Sequence, residues 1–358
     1  MATAGSLEVN KILTTAAKNQ ASDLHLSAGS PPVMRIGNDL VEMANYPAVK
    51  QQFILDMIDS VLTSGQKEQL AKNKDLIFTY EFAQNLRFRV NIIYQRGKPS
   101  VSLRYIPISV PDIQRLGLPI GIEKILANDK GLIVVTGPYG AGRTTTVAAM
   151  IEHINQKRDH NIVTIEQPIE YLFTNKKSII EQREVGVDVN SFHDALLHCQ
   201  REDVNVVAVG ENHEPELIPS ILEVANNNVL VFLVLNTSGI LQTVEYLIGN
   251  FRVEEKERAQ KLLSDSLRAI LVQRLLPQVG GGGKKLAAGL LINNDAVKTS
   301  IRKGEYKNLI NIAQTSKNEG MVDLDQALVD LVRSGEVLVE DAEKESFDKQ
   351  NFRSLIAR

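Results

Sequence analysis

One segment constrains this chain more than any other. The apolar, β-branched run Leu132-Ile133-Val134-Val135-Thr136 leads into Gly137-Pro138-Tyr139-Gly140-Ala141-Gly142-Arg143-Thr144 and then into the helix-compatible Thr145-Thr146-Val147-Ala148-Ala149-Met150-Ile151. Strand, glycine-rich loop and helix in that order form a phosphate-binding loop. The glycines let backbone N–H groups turn toward phosphate oxygens, and the helix N-terminus adds its partial positive charge. Gly137, Gly140, Ala141, Gly142, Arg143, Thr144 and Thr145 are therefore the expected nucleotide cradle, with Thr144 where a magnesium-ligating hydroxyl belongs. The cation is unusual. Arg143 stands where such loops carry lysine, and its planar guanidinium replaces a compact point charge, so the exchange is not conservative. Charge to hold a nucleotide survives; geometry to follow charge into a transition state is put in doubt.

The rest of the chain sets the loop in context. Its 358 residues leave room for two domains, and 43% hydrophobic with 23% charged residues is a globular composition. A net charge of −3 argues against a protein built mainly to bind nucleic acid or anionic lipid. No apolar stretch is long enough to span a bilayer, so the cytosol is the expected location. Cys199 is the only cysteine; it excludes an intrachain disulfide and reads as a small buried residue. The six histidines show no spacing with it that suggests zinc.

Residues 1–105 read as a small α+β domain. Helical periodicity covers 6–19 and 53–69; strands are expected at 23–26, 34–36 and 86–92, the last hairpinned to 101–104 across Arg96-Gly97-Lys98-Pro99. Strict alternation places Leu86, Phe88, Val90 and Ile92 on one face and Arg87, Arg89 and Asn91 on the other. Residues 106–120, with Pro107, Pro111, Gly117 and Pro119, read as a linker. Residues 121–358 alternate strands (132–136, 162–165, 204–209, 229–235) with helices, the pattern of a parallel sheet covered by helices. The glycine run 280–283 marks a hairpin tip or loop, 286–292 a further strand, and charge-rich helical segments finish the chain. The fold class is α/β.

Several segments resemble the type IV pilus retraction ATPases, the PilT family of the secretion-type ATPase superfamily. Ala21-Ser22-Asp23-Leu24-His25-Leu26-Ser27 followed by Pro31-Pro32 resembles their N-terminal signature, as does Arg87-Phe88-Arg89-Val90-Asn91. Ile165-Glu166-Gln167-Pro168-Ile169-Glu170 is similar to their aspartate box, with Gln182-Arg183-Glu184-Val185 as its continuation. Arg201-Glu202-Asp203 through Val209-Gly210-Glu211 resembles the approach to their Walker B motif, and Ala296-Val297-Lys298 with Ile301-Arg302 a C-terminal helical motif. The resemblance implies a PAS-like N-terminal domain, a RecA-like domain and a cytosolic ring hexamer, or a hetero-ring with an active paralogue. It also implies binding of ATP or ADP with Mg2+, and coupling to the inner-membrane platform of the pilus, which would bring the ring to the membrane periphery without an integral segment.

It assigns roles as well. Glu166, at the carboxyl end of an expected strand, becomes the water-orienting base; Glu211 organises Mg2+ together with Thr144; Asn236 occupies the place of a γ-phosphate sensor. Arg87, Arg89 and Arg104 are either phosphate contacts or solvated positions on a polar sheet face. The chain departs from the family pattern at Arg143, at Gln167 (aspartate in the family), at Asn212-His213-Glu214 (Met-Arg-Asp), at Asn236 (histidine) and at Lys298 (arginine). Nucleotide-site positions thus change together while scaffold signatures persist. Three functions remain open: an ATP-hydrolysing retraction motor, a ring-forming paralogue with reduced or lost hydrolysis, and a RecA-like nucleic-acid motor. The acidic balance and the lack of a basic or aromatic binding stretch oppose the third.

Overall fold

The structure, a computed structural model, describes residues 4–357 apart from 20, 38, 84, 85, 212, 213 and 282. Asn212 and His213 of the altered stretch after Glu211, and Gly282 of the glycine run, lie outside the described residues. The chain divides into two compact units, Met1–Ser109 with Pro168–Leu172, and Val110–Gln167 with Phe173–Arg358. The short segment 168–172, which follows Glu166-Gln167, thus belongs with the N-terminal unit.

In the first unit, β1 (Asp23–Ser27), β2 (Val33–Ile36), β3 (Asp39–Glu42), β4 (Asp75–Ala83), β5 (Leu86–Gln95) and β6 (Lys98–Ile106) form an antiparallel sheet in the order β3-β2-β1-β6-β5-β4. The alternation read in the sequence decides its faces. Phe88, Val90 and Ile92 are buried, and they join Leu24, Leu26, Val101 and Leu103 in one core with Ile12 and Leu13 of the helix Ala4–Lys18. β5 and β6 form the expected hairpin, with Val90 opposite Leu103. The single helix expected over 53–69 is instead two, Gln51–Val61 and Ser64–Asn73. The break has a local cause. Thr63 takes extended backbone and accepts from the Gln66 N–H, while the Gln66 side chain accepts from the Thr63 N–H at 3.0 Å, a capping box that starts a new helix. β3 and β4 were not legible: β3 is exposed throughout and carries no alternation in burial.

The second unit is built on a sheet of seven strands among the described residues: β7 (Gly131–Thr136), β8 (Asn161–Glu166), β9 (Ile179–Glu184), β10 (Val206–Val209), β11 (Leu230–Leu235), β12 (Leu267–Pro277) and β13 (Lys284–Ile292). Their order is β13-β12-β7-β11-β10-β8-β9, parallel throughout except for β13. β7, β10 and β11 are buried along their whole length because helices cover both faces, which is why they read as continuous apolar runs. Along β7, Leu132 and Val134 pack with the helices Ile218–Asn226 and Lys256–Ser266, whereas Ile133 and Val135 pack with the loop helix Arg143–Lys157. Cys199 is buried at the end of Phe192–Cys199, and burial pushes its thiol up to about 11.

Two strands escaped sequence reading. β9 is an edge strand of mostly polar residues and, among the described residues, pairs only with β8. β12 continues without an intervening turn from the helix Lys256–Ser266, so no breaker marks its start. It then hairpins into β13 across the glycine run, where Gly280 and Gly281 take positive φ. No helix among the described residues is long and apolar enough to cross a membrane.

Thr63→Ala should destabilise the N-terminal unit by about 1 kcal/mol by removing one side of the capping box. Its urea midpoint should fall with no change in m-value.

Candidate nucleotide site

Parallel register brings the loop and the strand-end carboxylates to one edge. Thr136 of β7 lies opposite Leu235 of β11, Leu233 opposite Val209 of β10, and Val209 opposite Ile165 of β8. Glu166, Glu211 and Asn236, which close or immediately follow β8, β10 and β11, therefore share the carboxyl edge with residues 137–145. In an open α/β sheet that edge is where ligands bind.

The loop is held from beneath. A Cβ on Gly137 would come within 2.5 Å of the Gln273 carbonyl oxygen, so only glycine fits where β7 meets β12. Gln273, fully buried, donates from Nε2 to Thr146 Oγ1 at 2.7 Å and pins the first turn of the loop helix. Thr136 Oγ1 lies 2.6 Å from both the carbonyl oxygen and Oγ1 of Thr237, and the Thr237 N–H donates back to it at 3.1 Å. The strand before the loop is thereby tied to the segment after β11. Thr144 and Thr145 are half-buried on the loop helix.

Arg143 is buried, with 5% of its side chain exposed. Its guanidinium reaches neighbouring strand ends. Nη1 donates to the Leu235 carbonyl at 2.6 Å, and Nη2 donates to Glu211 Oε2 at 3.0 Å and Oε1 at 3.2 Å. Leu235 closes β11 and Glu211 follows β10, so the side chain spans two strand ends from the start of the loop helix. The guanidinium is thereby engaged with the Glu211 carboxylate and a strand-end carbonyl. A lysine ammonium has no planar fork to make both contacts at fixed directions.

The remaining positions divide. Glu166 Oε1 accepts from Thr164 Oγ1 at 2.8 Å, which fixes its carboxylate beside the end of β8. Gln167 and Asn236 are exposed. Among the N-terminal arginines, Arg87 donates to the carbonyls of Ile169 and Glu170 at 3.0 and 3.1 Å and to Thr79 Oγ1, Arg89 pairs with Glu170 at 3.1 Å, and Arg104 pairs with Asp23 at 2.8 Å. Arg87 and Arg89 thus hold the 168–172 segment within their own unit. Gln273 was not singled out from the sequence, although a polar residue inside the apolar run of β12 is a signal. Glu170 lay within a recognised motif and Thr237 directly after Asn236, but their contacts depend on long-range pairing.

A family profile described as "Type II/IV secretion system protein" matches residues 5–354. The chain belongs to that family. It is 33% identical over 346 residues to the type IV pilus retraction ATPase PilT of Pseudomonas aeruginosa, covering 97% of this chain and 100% of that one. It is 36% identical over 324 residues to a twitching motility protein of Neisseria gonorrhoeae, covering 90% and 86%. Among solved structures, the pilus retraction motor PilT with bound ADP superposes with a TM-score of 0.84 at 36% identity, covering 96% of this chain and 98% of that one. The α/β fold, with its antiparallel N-terminal sheet and parallel-rich second sheet, is that of this family.

Glu211→Ala would leave the Arg143 guanidinium buried without its counter-charge. Breaking a fully buried pair costs about 3–5 kcal/mol. Because 29% of the Glu211 side chain is exposed, a smaller loss of about 1–2 kcal/mol is expected in denaturant unfolding. Arg143→Met/Glu211→Ala, which removes both charges, should recover part of it.

Proposed function

We propose that this protein is a PilT-like, nucleotide-binding ring component of the type IV pilus machinery, acting in retraction and twitching motility with reduced or lost ATP hydrolysis. Membership of the family and the likeness to an ADP-bound PilT support the first part. The engagement of Arg143 by Glu211 and the Leu235 carbonyl carries the second. In this reading residues 1–105 are a PAS-like domain, 106–120 a linker and 121–358 the RecA-like ATPase domain. The protein is a cytoplasmic homo-hexamer or hetero-ring with an active paralogue, working against the inner-membrane platform of the pilus.

The chemistry follows from the residues. Backbone N–H groups of residues 137–145 and the N-terminus of the loop helix hold the phosphates of ATP or ADP. Glu166, oriented by Thr164, is the base that would align a water. Asn236 offers donors where charge sensing needs a titratable group. Arg87, Arg89 and Arg104 reach phosphate only by exchanging their present acidic and carbonyl partners. The family implies Mg2+, which Thr144 and Glu211 would hold. The donor set fits it poorly, because a cation at Glu211 competes with Arg143 for the same carboxylate. Hydrolysis is slowed because the guanidinium that should meet developing phosphoryl charge is spent on the protein.

The retained Glu166, held beside its strand end, favours a second reading, a fully active motor in which nucleotide draws Arg143 off Glu211. Turnover separates the two. ATP hydrolysis by the purified protein should be slow, and Arg143→Lys should raise nucleotide affinity without full turnover. Arg143→Lys/Gln167→Asp/Asn236→His should gain most, within the roughly 10²–10³-fold that one well-placed transition-state donor contributes. A wild-type rate comparable to that of an ordinary lysine-loop retraction motor would establish the active motor instead.

Light scattering with ATP present should show a species several times the 39.6 kDa chain. A monomer at all concentrations, with and without nucleotide, would remove the ring from the reading.

A further inference from the structure

A second arginine joins the C-terminal helices to the nucleotide edge. Arg274 follows Gln273 on β12 and is 6% exposed. Its Nη2 donates to the Ser238 carbonyl at 2.7 Å, in the same Asn236-Thr237-Ser238-Gly239 segment whose Thr237 grips Thr136. Its Nη1 donates to the Gln273 carbonyl at 2.9 Å, the oxygen against which Gly137 packs. Its Nε pairs with Glu345 at 2.9 Å, and the guanidinium lies 5.3 Å from the ring centre of Phe347. Burial pulls the Arg274 pKa below its ordinary value, and the nearby Glu345 and Asp325 carboxylates oppose this.

The contact is shaped as well as charged. A Cβ on Gly239 would come within 2.6 Å of Phe347 Cζ, so that glycine admits the ring against the segment. Phe347 is 52% exposed, an open apolar ring kept in place from one side. Buried Asp325 fixes the backbone here, its two carboxylate oxygens accepting from the Phe347 and Asp348 N–H groups at 3.0 Å each. Nothing in the phosphate chemistry requires these residues, yet they converge on the segment bonded to the strand before the loop.

We propose that the stretch 345–348, from the last residue of the helix Val339–Glu345 to the start of the helix Lys349–Ile356, is a strap whose docking on Gly239 and Arg274 is coupled to nucleotide occupancy, with Arg274 as the positioning residue. The proposal rests on the nucleotide-binding reading above. Docked, the strap holds Ser238 and Thr237 so that Thr136 and Gly137 present the loop in its binding geometry. Lifted, it frees the 236–239 segment and weakens the site. Coupling of this kind is reciprocal: whatever factor the strap contributes to nucleotide affinity, nucleotide returns to strap docking.

Glu345→Gln and Phe347→Ala test it, both altering partly exposed side chains outside the phosphate site. ADP binding is measured by calorimetry, and hydrogen exchange is followed at the Phe347 and Asp348 amides with and without saturating ADP. The expected result is a loss of ADP affinity of about 5–10-fold in each variant, with apo melting temperatures near wild type, and slower exchange at both amides on ADP addition to the wild type. A purely structural strap would lower the melting temperature and leave both nucleotide readouts unmoved. Unchanged affinity in both variants, or exchange indifferent to ADP in a wild type that binds it, overturns the coupling. Failure of the wild type to bind ADP, with or without Mg2+, overturns the nucleotide reading itself and the coupling with it.

Discussion

Everything at the candidate site depends on the parallel pairing of β7, β11, β10 and β8. Buried on both faces, these strands have little freedom to slip, because a one-residue shift would turn Leu132 and Val134 into the layer filled by Ile133 and Val135. Fixed register is what brings the loop, Glu166, Glu211 and Asn236 to one edge. The polar residues on that edge are supported from neighbouring strands: Thr136 by Thr237, Thr146 by Gln273, Arg143 by Leu235. The hydrophobic sandwich sets positions, and a layer of hydrogen bonds above it sets orientations.

Arg143 shows how a buried cation can be held at the edge of a sheet. Its fork matches a carbonyl and a carboxylate at two strand ends, and burial strengthens both contacts by excluding water. The resulting pair is structurally satisfied, which explains how the position tolerates a large cation inside a sheet edge. The scaffold relies on apolar layers, whereas its carboxyl edge relies on a few polar groups that find partners on neighbouring strands.

The legible part of this protein was the part written in periodic or local signals. Continuous apolar runs exposed β7, β8, β10 and β11, and alternation exposed β5 and its buried face. Glycine spacing exposed the loop. Signals that depend on partners were lost: β9 is polar because it is an edge, and β12 follows a helix with no turn residue to announce it. The break at Thr63 was written locally, as Thr followed three residues later by Gln, but the apolar periodicity on either side masked it. At the site, sequence named the residues facing the carboxyl edge. It could not tell that Arg143 would turn to Glu211, or that Arg87 and Arg89 would spend their charge on residues 169–170, because both depend on which carbonyls and carboxylates the fold places within reach.

Those arginines share a logic. Arg87, Arg89, Arg143 and Arg274 each combine charge with a planar donor set, and each is bonded to groups on a different segment of chain. Every such contact exchanges a solvated cation for a fixed bridge, which costs desolvation unless an acceptor waits at the other end. The Leu235 carbonyl, which closes β11, is such an acceptor for Arg143, and the carbonyls of Ile169, Glu170 and Ser238, outside any strand, serve Arg87 and Arg274 in the same way. Each of these arginines therefore gains an internal tie to another segment of its own unit.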